Sequence, residues 1–395
     1  MMSCRCAIAR RLAPWFTALT TLLSIVAAGV LATAPSQTAA QALPELPPRL
    51  SQTGLFAAGE PGRIAPGLHS FTPQYPLWSD GAAKRRWIAL PPGTAIDAGD
   101  PDAWQFPPGT RLWKEFAVDG RPVETRYIER RADGQWRFGS YVWQPDGRDA
   151  VLAPPRGQVL ELAAPPRGQV LPLAAAPGGR YEVPGRGDCL ACHDGAAVPV
   201  LGFGALQLSP DRDPLAPHAE PLRPADLDLP ALAAQGLLRG LPAALLAQPP
   251  RIAAADARER AALGYLHGNC AHCHNDDGSP APVGLRLAQS VADAAGSLRR
   301  VRDSLIGAAS RYRPADAGAD GGDWLVVQPG RPSHSVLTLR LRSRQPQAQM
   351  PPLGTRIADE AALALVERWI AGLRPAAAST QALSSFSPPL TGAVR

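Results

Sequence analysis

Two pentapeptides carry the chemistry of this chain: Cys189-Leu190-Ala191-Cys192-His193 and Cys270-Ala271-His272-Cys273-His274. Each is a Cys-x-x-Cys-His, the attachment signature of a c-type haem. Two thiols separated by two residues can form thioether bonds to the two vinyl groups of one macrocycle. The histidine that follows lies under the ring and supplies the proximal nitrogen to iron. The chain has only six Cys and seven His in 395 residues, so chance does not account for two such matches. The spacing predicts two covalently attached c-type haems. Cys189, Cys192, Cys270 and Cys273 would hold them, with His193 and His274 as iron ligands. A zinc site would need four ligands in a closed tetrahedron. Joining the two Cys-x-x-Cys pairs across 81 positions would supply them, but zinc gives no reason for a His directly after both second cysteines.

The distal side of each iron decides between electron transfer and small-molecule chemistry, because a sixth ligand closes the site and an open position admits a substrate. Beyond Met1 and Met2 the chain has one methionine, Met350, in Gln349-Met350-Pro351-Pro352-Leu353-Gly354. Two prolines stiffen the backbone after it, which suits holding a thioether against iron. Met350 is the expected sixth ligand of the second haem. The first haem then has no methionine; His218, His69 or an open position remain for it. His272 is too constrained within its motif, and His267 and His334 read as ordinary polar residues.

The start of the chain sets the compartment. Arg5, Arg10 and Arg11 precede an apolar run from Leu12 to Ala32 and an Ala40-Gln41-Ala42 triplet, the pattern of a secretory signal over residues 1–42. An uncleaved inner-membrane anchor is the alternative. Export to the periplasm suits covalent haem, and the cysteines beyond residue 42 all lie in the two motifs, which leaves none for a structural disulfide. The formal charge is +6, of which these three arginines contribute +3, leaving +3. That is too little to imply nucleic acid. No later run is apolar enough for a stable membrane span, so the expected partners are periplasmic redox proteins.

The elements that must position the motifs follow from composition. Residues 43–66 read as an extended lead-in. Residues 67–182 read as an antiparallel β domain, a meander closing into a small sandwich or barrel. Asp119-Gly120, Asp133-Gly134 and Asp146-Gly147 mark its hairpin turns, with Arg121–Arg131 and Gln135–Trp143 as one hairpin. Six tryptophans fall here, Trp78, Trp87, Trp104, Trp113, Trp136 and Trp143, and read as core. An eleven-residue duplication, Ala153–Leu160 recurring as Ala164–Leu171, reads as a lengthened surface strand or loop with no function of its own. Residues 183–255 form the first haem-binding segment, with short helices between Asp226 and Leu246. Residues 256–375 carry the second haem, with helices at Arg258–Leu266, Gly296–Ala308, Ser333–Leu341 and Asp359–Leu373. In the last, Leu363, Val366, Trp369, Ile370 and Leu373 share a face. Residues 376–395 read as a disordered tail. The fold class is α+β: a β domain followed by an all-α haem-binding region.

From Tyr265-Leu266-His267-Gly268-Asn269 through the second motif, Pro329-Gly330-Arg331-Pro332, the Met-Pro-Pro loop and Trp369-Ile370, the chain resembles a class I-like cytochrome c domain. More widely it resembles a group of bacterial diheme cytochromes with an N-terminal β domain. The matching stretches are Tyr75-Pro76-Leu77-Trp78-Ser79-Asp80, Lys84-Arg85-Arg86-Trp87-Ile88, Gly139-Ser140-Tyr141-Val142-Trp143 and Arg186-Gly187-Asp188-Cys189. The resemblance implies electron transfer and brings no substrate. A diheme peroxidase with an open first haem is the alternative. A haem-bearing binding protein that docks a partner on its β domain is the third reading.

Overall fold

Strands form where β-branched and aromatic residues alternate with polar ones, and the Asp-Gly pairs turn the chain between them. The three central strands are β2 (Ala83–Ala89), β4 (Arg111–Val118) and β5 (Arg121–Arg130). With β1 (His69–Phe71), β6 (Trp136–Trp143) and β7 (Ala150–Leu152) they form an antiparallel succession. Gly120 and Gly134, with φ of 76° and 82°, supply the left-handed backbone at two of the turns. The computed structural model describes residues 46–162, 176–276, 283–314 and 324–374, all within the unit Leu46–Arg395. The expected signal (1–42), the second copy of the duplication and the expected tail (376–395) lie outside these residues.

The sheet corrects two expectations. It is one open sheet of seven strands, order β10-β1-β2-β4-β5-β6-β7, and not a barrel. It is also mixed: β10 (Asp226–Leu227) lies parallel to β1, pairing Ser70 with Asp226. A second parallel bridge joins β3 (Ile96–Asp97) to β11 (Leu238–Arg239). Both new strands come from the stretch read as short helices, of which α2 (Leu229–Ala234) and α3 (Ala244–Ala247) form. Asp228 caps α2 by accepting from Ala231 N, and Pro230 sits in the first turn, where its missing N–H costs nothing. Proline there starts the helix and does not break it. Two residues of strand on either side of α2 are too short to show a period of two.

One face of the sheet packs Trp87, Trp113, Tyr127 and Tyr141 against Leu50, Leu55 and Phe56 of the lead-in. The opposite face is covered in two patches. Ile88 and Leu112 meet Phe203, Leu208 and Leu229; Phe116 and Val118 meet Tyr181 and Val183. Trp104 joins the first patch, with Trp136 packed against it, and Trp143 packs against the lead-in face; of the six tryptophans only Trp78 lies outside these cores, against His218. β8 (Gln158–Glu161), from the first copy of the duplication, pairs with β9 (Arg180–Val183).

The remaining helices form a separate apolar layer. α4 (Ala257–Cys270) and α7 (Glu360–Gly372) pack together, with α5 (Ala294–Leu305) and α6 (Val336–Arg342) around them. Asp256, Asp293 and Asp359 cap α4, α5 and α7 through their side chains, each satisfying an amide the helix leaves free. Leu363, Val366, Trp369 and Ile370 are buried as their spacing requires. Gly264 and Gly268, one turn apart on α4, meet Tyr75; a Cβ at either position would collide with the Tyr75 ring or carbonyl. The fold class is therefore α+β. Among the described residues no helix is long and apolar enough to cross a membrane.

Candidate functional site

The first motif lies on a helix of its own. α1 (Arg186–His193) holds all five residues and packs on β6. Gly185 begins the helix, and its amide is accepted by the Asp188 carboxylate at 2.8 Å. The turn at Gly157 presses against Pro184 and Gly185 so closely that neither glycine has room for a Cβ. The first copy of the duplication, which forms part of a strand, β8, therefore also fixes the entry to α1, where no role of its own was expected.

His193 is half-buried against the Phe138 ring, centroid to centroid 4.9 Å. Its Nδ1 meets the Pro199 carbonyl oxygen at 2.5 Å. A carbonyl only accepts, so Nδ1 carries the proton and Nε2 is left with a free lone pair. That is the tautomer a metal-ligating imidazole needs. Burial is the largest cause pushing His193 down to about 4; Lys114, Arg126 and His272 reinforce it, against the Pro199 carbonyl. The ring is neutral at ordinary pH.

The second motif straddles the end of α4, with Cys270 its last residue. Asn269 ties this end in place: its Oδ1 accepts from Trp78 N at 2.7 Å, and its Nδ2 donates to Tyr265 O and Pro76 O at 3.0 and 3.3 Å. The Asp80 carboxylate accepts from Arg356 N and Ile357 N at 2.9 and 3.1 Å. Tyr75–Asp80 thus braces both α4 and the chain following Met350. Nothing in its composition signals this; the contacts span about 190 and 280 positions.

Cys270, Cys273, His274 and Met350 line one cavity of 790 Å³, with Leu285, Leu287, Val326 and Leu337 among its apolar walls. The structure brings these four expected residues together. His274 Nδ1 is buried without a hydrogen-bond partner, and burial lowers the pKa of the ring, with help from Arg340 and His272.

The two motifs, far apart in sequence, meet. Cys192, His272 and Cys273 offer ligand atoms within 4.8 Å of one another. Cys192 is pushed up to about 12, first by donating to Cys273 and then by burial, and the same bond lowers Cys273. Burial raises Cys189 to about 11 and Cys270 to about 12. All four cysteines are free thiols. A three-ligand metal site at Cys192, His272 and Cys273 would use one cysteine of each pair and leave Cys189, Cys270 and both motif-ending histidines without a role.

The other histidines are placed as follows. His218 Nε2 lies 2.8 Å from Asp359 Oδ1, and its ring packs on Trp78. That nitrogen is committed to the cap of α7. His69 stands on β1 opposite Ile88. His267 Nδ1 accepts from Gln289 N at 3.1 Å, and His334 stacks on Trp324.

Sequence reasoning missed a set of cations facing the first motif. Arg86, Lys114, Arg126 and Ser140 are direct cross-strand partners over β2, β4, β5 and β6. Lys114 and Arg126 act on His193, and Arg126 on Cys189. Polar residues at strand positions that should face a core were the available signal. Comparison with protein-family models, with curated proteins and with solved structures returns no match.

Proposed function

We propose that this chain is a periplasmic electron carrier with two covalently bound c-type haems, one at Cys189, Cys192 and His193 and one at Cys270, Cys273 and His274. The observation that carries this reading is the meeting of the two motifs at Cys192, His272 and Cys273, with the second opening into a cavity also lined by Met350. A cavity of 790 Å³ is in the range of cofactor sites. The donor set fits the group: two free thiols at the required spacing, a neutral imidazole and a thioether. The orphaned His274 Nδ1 and apolar walls suit a ring system more than water.

When bound, the haems supply reversible one-electron chemistry at iron. The protein's part is to set ligands, burial and separation. His193 is held in one tautomer by Pro199. Met350 in the second cavity would raise the potential there relative to bis-histidine ligation. Contact between the motifs favours rapid exchange between the two centres, and periplasmic redox proteins are the partners this chemistry serves. The helical layer of α4–α7 is accordingly read as a cytochrome c-like domain.

Purified protein tests this directly. Haemochrome analysis should give two covalent haems per chain and reduced spectra of low-spin c type; protein exported and matured without haem sinks the proposal. A diheme peroxidase is the second reading, favoured by the commitment of His218 Nε2 to Asp359. A high-spin EPR signal with turnover of peroxide would select it; two low-spin signals would exclude it.

A further inference from the structure

The sheet face under α1 is apolar at both ends and charged in the middle. Along β4 the inward residues run Leu112, Lys114, Phe116. Leu112 belongs to the patch with Phe203 and Phe116 to the patch with Tyr181. Across the sheet, Lys114 is flanked in register by Arg86, Arg126 and Ser140. Lys84 and Glu124 occupy the next rung, either side of Phe116.

Arg86 and Ser140 are enclosed, Lys114 and Arg126 half-buried, and the set is short of hydrogen-bond partners. Arg86 is 5% exposed and Ser140 4%. The Ser140 hydroxyl and both terminal nitrogens of Arg86 have no hydrogen-bond partner. Lys114 Nζ has, among the described residues, no hydrogen bond or ion pair, only the Phe116 ring at 5.0 Å. Of the nearby acids, Glu124 pairs with Arg126 at 2.7 Å and Glu220 stands 3.6 Å from Arg86. Asp359 and Asp226 also act on the cluster. Their bonds go elsewhere, to His218 and Ala362 and to Thr72 and Arg223. Four cations, Lys84, Arg86, Lys114 and Arg126, thus have, among the described residues, only two acids at ion-pair distance, Glu124 and Glu220, while Asp226 and Asp359 act from further off. A buried guanidinium whose terminal nitrogens find no partner carries a cost, as does a buried hydroxyl. A diffusible anion would leave that cost in place whenever it was absent. A resident group with two carboxylates would remove it permanently.

We propose that the belt Arg86, Lys114, Arg126 and Ser140 anchors the two propionate carboxylates of the haem attached at Cys189 and Cys192. This rests on the diheme reading. Arg86, with both terminal nitrogens lacking a hydrogen-bond partner, offers the planar fork that suits a carboxylate, Lys114 a point charge, and Ser140 a hydroxyl donor; Arg126, whose Nε and Nη2 already hold Glu124, adds its positive charge. The belt thereby ties the first haem to the β sheet and stabilises its reduced state: neutralising the propionates raises the potential of that haem.

The test uses the holoprotein, with Lys114→Gln as the main variant, Ser140→Ala beside it and Lys114→Arg as the conservative control. Spectroelectrochemistry should show the first haem's potential falling in Lys114→Gln by about 59 mV, tenfold in the one-electron equilibrium. The second haem's potential should not move. Resonance Raman propionate-bending bands of the first haem should shift in Lys114→Gln and Ser140→Ala and stay in place in Lys114→Arg. Two haems per chain with no change in potential or propionate band in either variant would overturn the inference and leave the diheme reading intact. A first-haem spectrum that responds to millimolar acetate or phosphate in wild type, and not in Lys114→Gln, would also overturn it, because the belt would then be an open anion site. A chain without haem would defeat the underlying reading.

Discussion

The two Cys-x-x-Cys-His motifs are the same five-residue device set in opposite surroundings. The second ends a fourteen-residue helix buried almost all round, and opens into an apolar cavity that includes Met350. The first sits on an eight-residue helix with no buried residue, laid on a sheet face that carries a row of cations. A motif fixes which atoms can bond a macrocycle and a metal. Its surroundings set the dielectric, the charge and the groups available on the far side. The lesson is that two copies of one Cys-x-x-Cys-His pattern can be set apart by what surrounds them.

The sharpest way to break that comparison is to remove one motif at a time. Replacing Cys270 and Cys273 by Ala should halve the covalent haem measured by haemochrome, from two per chain to one, and delete the signal sensitive to Met350. If haem content does not fall, the second motif is not an attachment site. The equivalent change at Cys189 and Cys192 should spare that signal.

The brace between the two regions is tested at Gly264. Gly264→Ala pushes a methyl into the Tyr75 ring, and overpacking of this kind costs about 1–3 kcal/mol. Thermal unfolding should show a lowered Tm. Unchanged stability would mean that the Tyr75 segment does not lie on α4 in solution.

Met350→Ala addresses the distal side of the second motif alone. Its potential should fall by at least about 59 mV, a tenfold change for one electron, because thioether ligation raises it. EPR of the oxidised protein should change for one centre only. A variant with both signals unaltered would show that Met350 only lines the cavity.

The smallest effect separates the regions by pH. Burial lowers His267 to about 4, and its Nδ1 accepts from Gln289 N, so the folded protein holds it neutral. Between the ordinary value of 6.5 and about 4 the unfolded chain binds the extra proton. Stability is full above that window and lost as pH falls through it, by about 1.4 kcal/mol one unit below the ordinary value. Denaturant midpoints of His267→Gln should be flatter over the same range; a parallel pH dependence would sink the assignment.

Features whose cause lies within one short stretch of chain could be read in advance. Cys-x-x-Cys-His is legible because its chemistry depends on spacing within five residues. The Asp-Gly turns, the β5–β6 hairpin and the apolar face of α7 were legible for the same reason: their cause is a period or a turn within one element. Tertiary structure alone decided the rest, because the partners are remote. β10 and β11 are two-residue strands that exist only because β1 and β3 present free edges beside them. Asn269 and Asp80 are polar residues of no evident role until Trp78 and Arg356 arrive from across the chain. Nothing in the run Lys84-Arg85-Arg86 tells its residues apart, yet the pleat sends Lys84 and Arg86 to one face, where both are buried, and Arg85 to the other, where it pairs with Glu115. The contact between Cys192 and Cys273 has no counterpart in the spacing of either motif. It depends on how a sheet face and a helical layer bring two chain segments together, which no window along the sequence contains.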